Sequence, residues 1–300
     1  MEKLNHIIKA QQFDRRYMDE LFGLTNIINT YSADLKRKIM ATLFYEPSTR
    51  TRFSFETAMY KVGGNVISTE NAKEFSSAIK GETLEDTIKI LNGYCDVIVI
   101  RHPEIGSAER AAAVSEIPII NAGDGGGQHP TQSLLDLYTI KKEIGDIDGI
   151  NIAMVGDLAN GRTVRSLSYL LTRFRGVHIY FVSPDNVKMK DDIKDYLLEN
   201  QVKFEEDPNL ERVVRKVDVV YQTRIQKERF TDMEEYQKAR IYTINPQIMS
   251  LMKKKSIVMH PLPRVDEITK ECDNDSRAAY FRQARNGLYV RMAILRMLLD

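Results

Sequence analysis

Residues 46–56 read Glu-Pro-Ser-Thr-Arg-Thr-Arg-Phe-Ser-Phe-Glu, so the hydroxyls of Ser48, Thr49 and Thr51 are interleaved with the guanidinium groups of Arg50 and Arg52. Pro47 and Ser48 mark a helix start, with Ser48 a candidate N-cap. Both arginines then fall in the first helical turn. The partial positive charge at that end disfavours a cation by about 0.3–1 kcal/mol. A bound anion reverses the sign. It meets unpaired backbone N–H groups, hydroxyls and a planar guanidinium fork together. The segment therefore predicts an oxyanion site, most simply for phosphate, in preference to a capped helix with two solvated arginines.

Further segments carry the same kind of chemistry. Arg101 and His102 close the apolar run 96–100, which by itself fits a strand boundary as well as a site. Residues 122–132, Ala-Gly-Asp-Gly-Gly-Gly-Gln-His-Pro-Thr-Gln, carry glycines that permit close backbone approach. His129 stands there before a long helical pattern, with Gln132 one turn on. A donor such as His129, aimed at a carbonyl oxygen, stabilises the charge of a tetrahedral intermediate. Arg162 follows Gly161 after the run 151–155 and again puts a cation at a helix start. Two such turns point to two anions. Arg224 follows the run 218–222 directly, and its planar group suits bidentate recognition of a carboxylate. The charges after it, Lys227, Glu228 and Arg229, read as a solvated face. In His260-Pro261-Leu262-Pro263-Arg264 the prolines remove N–H donors, which leaves carbonyls to accept. Gly156 and Gly161 do not supply a Gly-x-Gly-x-x-Gly fingerprint, and no Walker A motif occurs. No nucleophile stands beside a base and no metal-ligand cluster is visible, so neither a metal nor another cofactor is expected.

These residues need a scaffold that gathers loop starts. Strand-like runs occur at 39–45, 65–68, 96–100, 117–121, 151–155, 177–182, 218–222 and 257–260. Amphipathic helical patterns lie between them at 51–62, 84–91, 131–144, 163–173 and 191–198. Strand–helix alternation means parallel sheet with right-handed crossovers, and ligands then sit outside the carboxyl ends of the strands. The fold class expected is α/β: two Rossmann-like domains with parallel sheets, linked by interdomain helices. One strand–helix set spans about 39–121 and the other 151–260. The domains expected are 1–130 and 131–282, with a C-terminal helix over 283–300 packing back on the first.

Three hundred residues suit two domains. Lys plus Arg number 43 and Asp plus Glu 42, a net charge of +1. That balance argues against nucleic acid or an anionic membrane as the main partner. With 43% apolar and 28% charged residues the chain reads as an ordinary globular protein. Two cysteines, Cys95 and Cys272, cannot build a disulfide framework and fit a reducing compartment. The first residues lack a signal-peptide core, and no apolar run approaches the roughly 18 residues of a membrane span. A soluble, cytoplasmic protein is expected.

The string Ser48-Thr49-Arg50-Thr51-Arg52 after Phe44-Tyr45-Glu46-Pro47 resembles the carbamoyl-phosphate signature of the aspartate and ornithine carbamoyltransferases. His129-Pro130-Thr131-Gln132 is similar to that family's second carbamoyl-phosphate element, and the motifs around Arg101, Arg162, Arg224 and His260–Arg264 follow in the family's order. The resemblance implies a carbamoyl-phosphate site of Ser48, Thr49, Arg50, Thr51, Arg101, His129 and Gln132, with the Leu262 and Pro263 carbonyls receiving the carbamoyl NH₂. Within it, Arg50, Thr51, Arg101 and His129 are the expected catalytic groups. It implies an aspartate site of Arg162, Arg224, Gln226 and Lys80. Ser76 and Lys80 would come from a neighbouring subunit's swinging loop, which makes the expected assembly a homotrimer with shared active sites. A separate regulatory chain is left open. The Ser-Met-Gly element of ornithine enzymes is missing and Pro261 stands where they usually have Cys, so the acceptor implied is L-aspartate. The reaction would give N-carbamoyl-L-aspartate and phosphate, the first committed step of de novo pyrimidine synthesis, with domain closure expelling water. Another acceptor such as ornithine, or a non-catalytic anion-binding protein on the same fold, are the alternatives.

Overall fold

Runs of buried β-branched and aliphatic residues become two parallel sheets. The computed structural model describes residues 4–28, 30, 35–75, 80–225, 234 and 242–300. The first sheet contains β1 (Ile39–Phe44), β2 (Asn65–Glu70), β3 (Val97–His102) and β4 (Ile119–Asp124), in the order β2-β1-β3-β4. The second contains β5 (Asn151–Val155), β6 (His178–Val182), β7 (Lys203–Glu206), β8 (Val219–Gln222) and β9 (Ile257–Met259), in the order β7-β6-β5-β8-β9. Every strand pairing is parallel. The fold class is thus α/β with two parallel-sheet units.

Helices fill the crossovers: α1 (Arg15–Ile27), α2 (Thr49–Lys61), α3 (Ala72–Phe75), α4 (Leu84–Leu91), α5 (Ser107–Val114) and α6 (Pro130–Ile144). They continue with α7 (Arg162–Leu171), α8 (Asp191–Glu199), α9 (Leu210–Val214), α10 (Pro246–Leu251) and α11 (Tyr280–Leu299). Backbone contacts divide the chain into one unit of Met1–Leu135 with Asn286–Asp300 and another of Asp136–Arg285. The chain passes between the units inside α6 and α11. In the first unit, Arg291 of α11 donates to Ser54 Oγ (2.8 Å) and stacks over the Phe55 ring, which fixes α11 to α2. Among the described residues no helix is long and apolar enough to cross a membrane.

Several elements are absent from the expected set. β7 reads Lys-Phe-Glu-Glu, a single apolar residue with no usable period, and it pairs only at the sheet edge. Its charges suit an edge, where they discourage addition of another strand. In the first sheet the edge strand β2 is likewise largely exposed. Helices α1, α3, α5, α9 and α10 are also additional, and α11 starts at Tyr280 instead of residue 283.

Topology selects where ligands bind. In the first sheet the chain leaves β1 toward β2 on one side and β3 on the other, so the carboxyl ends of β1 and β3 flank a switch point. In the second, β5 lies between β6 and β8, and the switch point falls between β5 and β8. Gly156, just past β5, has φ +112°, and a Cβ there would sit 2.5 Å from the Thr223 carbonyl oxygen just past β8. Only glycine lets the two strand ends approach so closely.

Candidate active site

The first unit brings three loops to the carboxyl edge of its sheet. After β1 the chain turns through Glu46, Pro47 and Ser48 into α2, whose first turn holds no acid. Ser48 occupies the N-cap position, but its side chain caps nothing. This corrects the capping role expected for it. The Ser48 hydroxyl accepts from the Arg101 guanidinium (3.2 Å), and Arg101 Nε reaches Glu46 Oε2 at 3.3 Å. Arg101 lies in β3, beside β1, and its carbonyl accepts the Tyr45 N–H at 2.8 Å. The structure thus joins Ser48 and Arg101, two of the expected site residues, and adds Glu46. Thr51 is buried on the inner side of α2, while Thr49 and Arg50 are exposed on its first turn.

Arg52 departs from the expectation of a second unanswered cation. Its guanidinium donates to Glu70 Oε2 (2.8 Å), Ser68 Oγ (3.2 Å) and Glu56 Oε1 (3.5 Å). Glu56 in turn accepts from Thr42 (3.0 Å) and Ser68 (2.6 Å). Arg52 therefore fastens α2 to β1 and β2, while Arg50 is exposed on the same first turn.

The third loop follows β4. Asp124, at the strand end and buried, accepts the N–H groups of Gln128 (2.7 Å) and Gly106 (2.9 Å) and the Asn121 amide (3.3 Å). That carboxylate folds the glycine-rich loop back on itself and ties it to the start of α5. A Cβ at Gly125 would meet the Pro103 carbonyl oxygen at 2.3 Å, so the backbones there approach as closely as the glycine composition suggested. The loop delivers His129 to the N-terminus of α6, where its carbonyl accepts the N–H groups of Gln132 (3.0 Å) and Ser133 (3.3 Å). Both His129 and Gln132 side chains are buried. At the end of β3, burial pushes the His102 imidazole below its ordinary range, and its Nδ1 accepts the Glu104 N–H at 3.1 Å. His102 is a neutral structural ring packed edge-on against Tyr45.

The second unit sets three loops on the adjacent strands β5, β8 and β9. Arg162 opens α7 after Gly161, again with no acid in the first turn. The preceding turn is held by fully buried Asp157, which accepts from Asn160 N (3.0 Å) and Asn160 Nδ2 (3.2 Å). Arg165, one turn further, is bidentate to Asp192 and structural. Arg224 stands two residues past β8 and lines a cleft of about 40 Å³ with Tyr242, Val265, Asp266 and Glu267. Leu262 and Pro263 follow β9, joined by a cis peptide bond. Arg264 is bidentate to Asp273 and stacks over Tyr280. Lys80 is exposed, whereas Ser76 and Gln226 lie outside the described residues.

The sequence reading missed the groups that hold these loops. His260 and Glu267 are both buried and meet at 2.8 Å. Burial alone would raise the Glu267 carboxyl, but the His260 hydrogen bond and the surrounding backbone N–H groups outweigh it and hold the carboxyl below its usual range. Asp136, Tyr221 and Gln283 form a second buried cluster. A histidine and a glutamate seven residues apart around a proline-rich turn is the only local signal for the first, and no local signal exists for the second.

Comparison with known proteins agrees with this geometry over the whole chain. Residues 5–142 match the carbamoyl-P binding domain, and residues 148–298 the Asp/Orn binding domain, of the aspartate/ornithine carbamoyltransferases. The chain is 59% identical over 305 residues to aspartate carbamoyltransferase 1, chloroplastic, of Pisum sativum, covering 99% of this chain and 79% of that protein. It is 49% identical over 304 residues to the aspartate carbamoyltransferase catalytic subunit of Methanocaldococcus jannaschii, covering 99% and 98%. The crystal structure of aspartate transcarbamoylase from Trypanosoma cruzi in complex with carbamoyl phosphate and aspartate is similar with a TM-score of 0.93 at 43% identity, covering 99% of this chain and 97% of that one. Two acid-free helix starts on two parallel sheets, and matches to both domains, place this chain in the aspartate/ornithine carbamoyltransferase family.

Proposed function

We propose that the chain transfers the carbamoyl group of carbamoyl phosphate to the α-amine of L-aspartate, giving N-carbamoyl-L-aspartate and phosphate in de novo pyrimidine biosynthesis. The observation that carries this is the pair of anion-seeking helix starts. One is the α2 turn of Ser48, Thr49, Arg50 and Thr51, with Arg101 bonded to Ser48. The other is the α7 start at Arg162, with Arg224 on the neighbouring strand end.

Positioning and charge neutralisation do the catalytic work. Ser48, Thr49, Arg50, Thr51 and Arg101 hold the phosphate. Thr51, Arg101 and His129 polarise the carbonyl, while Gln132 and the Leu262 and Pro263 carbonyls fix the carbamoyl NH₂. Arg162, Arg224 and Gln226 orient the aspartate carboxylates so that its neutral amine attacks the carbonyl carbon. The new C–N bond forms, the bond from carbon to the phosphate oxygen breaks, and the departing phosphate takes the amine proton. Glu46 keeps Arg101 extended between the two loops that it bridges.

The assay is formation of carbamoyl aspartate and phosphate from both substrates. Turnover with aspartate and not with ornithine is expected, and no turnover by folded protein refutes the reading. Arg50→Ala should raise the KM of carbamoyl phosphate about a hundredfold, since it removes charge-assisted bonds to phosphate, whereas Arg224→Ala should act on the KM of aspartate. Equal effects of both changes on one substrate would overturn the two-anion assignment.

The active assembly is a homotrimer in which Ser76 and Lys80 of one subunit serve a neighbour's site. Supporting this, Lys80 is exposed, and so are Phe53 (51%), Tyr60 (59%) and Ile67 (43%) on α2 and the edge strand β2. Mixing inactive Lys80→Ala chains with inactive Arg50→Ala chains should restore activity, and no recovery after verified subunit exchange counts against shared sites. The cytoplasm is the compartment we assign, in keeping with two buried, unpaired cysteines.

A further inference from the structure

Buried polar side chains of the second unit form one continuous hydrogen-bonded chain. Asp136 on α6 is fully buried and accepts from Tyr221 Oη (2.7 Å) and Gln283 Nε2 (2.6 Å). The Gln283 amide oxygen accepts the N–H of His260 at 2.8 Å. His260 Nδ1 accepts the N–H of Leu262 (2.7 Å), and its Nε2 lies 2.8 Å from Glu267 Oε1. Glu267 Oε2 accepts the N–H groups of Val265 (3.1 Å) and Asp266 (3.2 Å). Those residues share a cleft with Arg224, which stands three residues along the chain from Tyr221.

His260 is the branch point. An imidazole nitrogen that accepts an N–H must keep its lone pair, so Nδ1 is unprotonated, the ring is neutral, and its proton sits on Nε2 facing Glu267. Each ring nitrogen thus has a separate client. Nδ1 holds Leu262, whose φ of +56° lies in a region that a leucine does not favour unaided. Nε2–H orients the carboxylate that gathers the 265–267 backbone into the wall beside Arg224.

We propose that His260 is a positioning residue with two separable arms, Nδ1 setting the Leu262 and Pro263 carbonyls that receive the carbamoyl group and Nε2–H, through Glu267, setting the cleft wall that receives aspartate. The assignment rests on the substrate roles proposed above for Leu262, Pro263 and Arg224. Asparagine and glutamine separate the arms, because the asparagine amide oxygen mimics Nδ1 and the glutamine amide nitrogen mimics Nε2. His260→Asn should leave the KM of carbamoyl phosphate within about twofold of wild type and raise that of aspartate about five- to tenfold, the scale of one lost hydrogen bond. His260→Gln should show the reverse split. Glu267→Gln, which turns an NH₂ toward the Val265 and Asp266 donors, should follow His260→Asn. The full-length protein is assayed with one substrate saturating and the other varied, alongside a thermal melt of each variant. A wild-type protein with no carbamoyl aspartate product defeats the substrate reading itself. An active wild type whose variants raise both KM values together, or leave both unchanged, overturns the two-arm assignment alone. Loss of cooperative melting in both His260 variants also overturns it, since the ring would then serve the core and not the site.

Discussion

Asp124→Asn tests whether a single carboxylate organises the loop that presents His129. In the native protein Oδ2 accepts the Gly106 N–H at 2.9 Å and Oδ1 accepts the Gln128 N–H at 2.7 Å. An asparagine offers one oxygen and one NH₂, so either orientation leaves one of those backbone donors facing another donor. The retained bond also weakens from charge-assisted to neutral. An orphaned half-buried N–H plus that weakening costs about 2–4 kcal/mol. For a unit of this size the thermal midpoint should fall by about 5–10 °C. The two clients lie on different elements, the start of α5 and the approach to α6, so no local rearrangement recovers both. The kinetic signature should be a raised KM for carbamoyl phosphate at unchanged KM for aspartate, because His129 and Gln132 follow the loop. Differential scanning fluorimetry and initial-rate kinetics on the same preparations measure both. A variant that melts within about 1 °C of wild type and keeps its carbamoyl phosphate KM would refute the reasoning, since a lost buried acceptor cannot be that inexpensive.

Gly156→Ala should destabilise by about 2–4 kcal/mol and raise the aspartate KM, because the new Cβ meets Thr223 O at 2.5 Å and Thr223 Oγ1 at 2.7 Å at a φ of +112°. Thermal melts and aspartate titrations check it. Arg52→Ala should lose about 1–2 kcal/mol of stability, as Glu70 and Glu56 lose their cation, while raising the carbamoyl phosphate KM far less than Arg50→Ala does. Urea unfolding and substrate kinetics on both variants decide that contrast. Acid should destabilise the fold. The Arg212 hydrogen bond lowers the Asp207 carboxyl and the Arg264 hydrogen bond lowers that of Asp273, while the bonds described above lower Glu267. A depressed folded-state pKa gives stability that is complete above the unfolded value and lost as pH falls. The midpoint should therefore hold from pH 7 to about pH 5 and drop below about pH 4. Asp207→Asn should flatten part of that limb, and an identical acid profile for the variant removes Asp207 from the account.

Most of the scaffold could be read from the chain because a buried parallel strand needs little more than a short apolar run. The run 151–155 coincides with β5, and the other expected strands lie within a few residues of those observed. What escaped lacked apolar content or period, as in the charged edge β7. The candidate anion sites stand out in the sequence for a related reason: arginines at helix starts contradict the helix dipole, and such a contradiction is visible without coordinates. Arg50 and Arg162 begin helices whose first turns hold no acid. For Arg52 the reading fails, because its answering acid, Glu70, comes from the next strand, eighteen residues away. Ser48 has the composition of a cap, yet Arg101, fifty-three residues distant, takes its hydroxyl. Pairings of that span depend on which strands become neighbours, which local pattern does not specify.

The balanced charge of the chain conceals an ordering that the structure exposes. Asp124 ends β4, and Asp157 and Glu267 follow β5 and β9; all are buried, and all three spend oxygens on backbone N–H groups of their own loops. Arg50, Arg162 and Arg224 belong to loops at the same carboxyl edges. On the function proposed above, an anionic substrate at such an edge is received by guanidinium groups, while the nearby carboxylates are engaged by backbone donors. Turning acids inward also supplies rigidity: Asp124 and Glu267 each fix two backbone donors, and Asp157 the backbone and side-chain N–H groups of Asn160, which a glycine-rich or proline-rich loop could not hold by packing. Replacing these acids with amides should therefore disturb substrate affinity by loosening loops, not by making the edges more positive. At raised ionic strength the two explanations diverge. A loop defect persists in high salt, whereas a purely Coulombic gain in anion affinity is screened away.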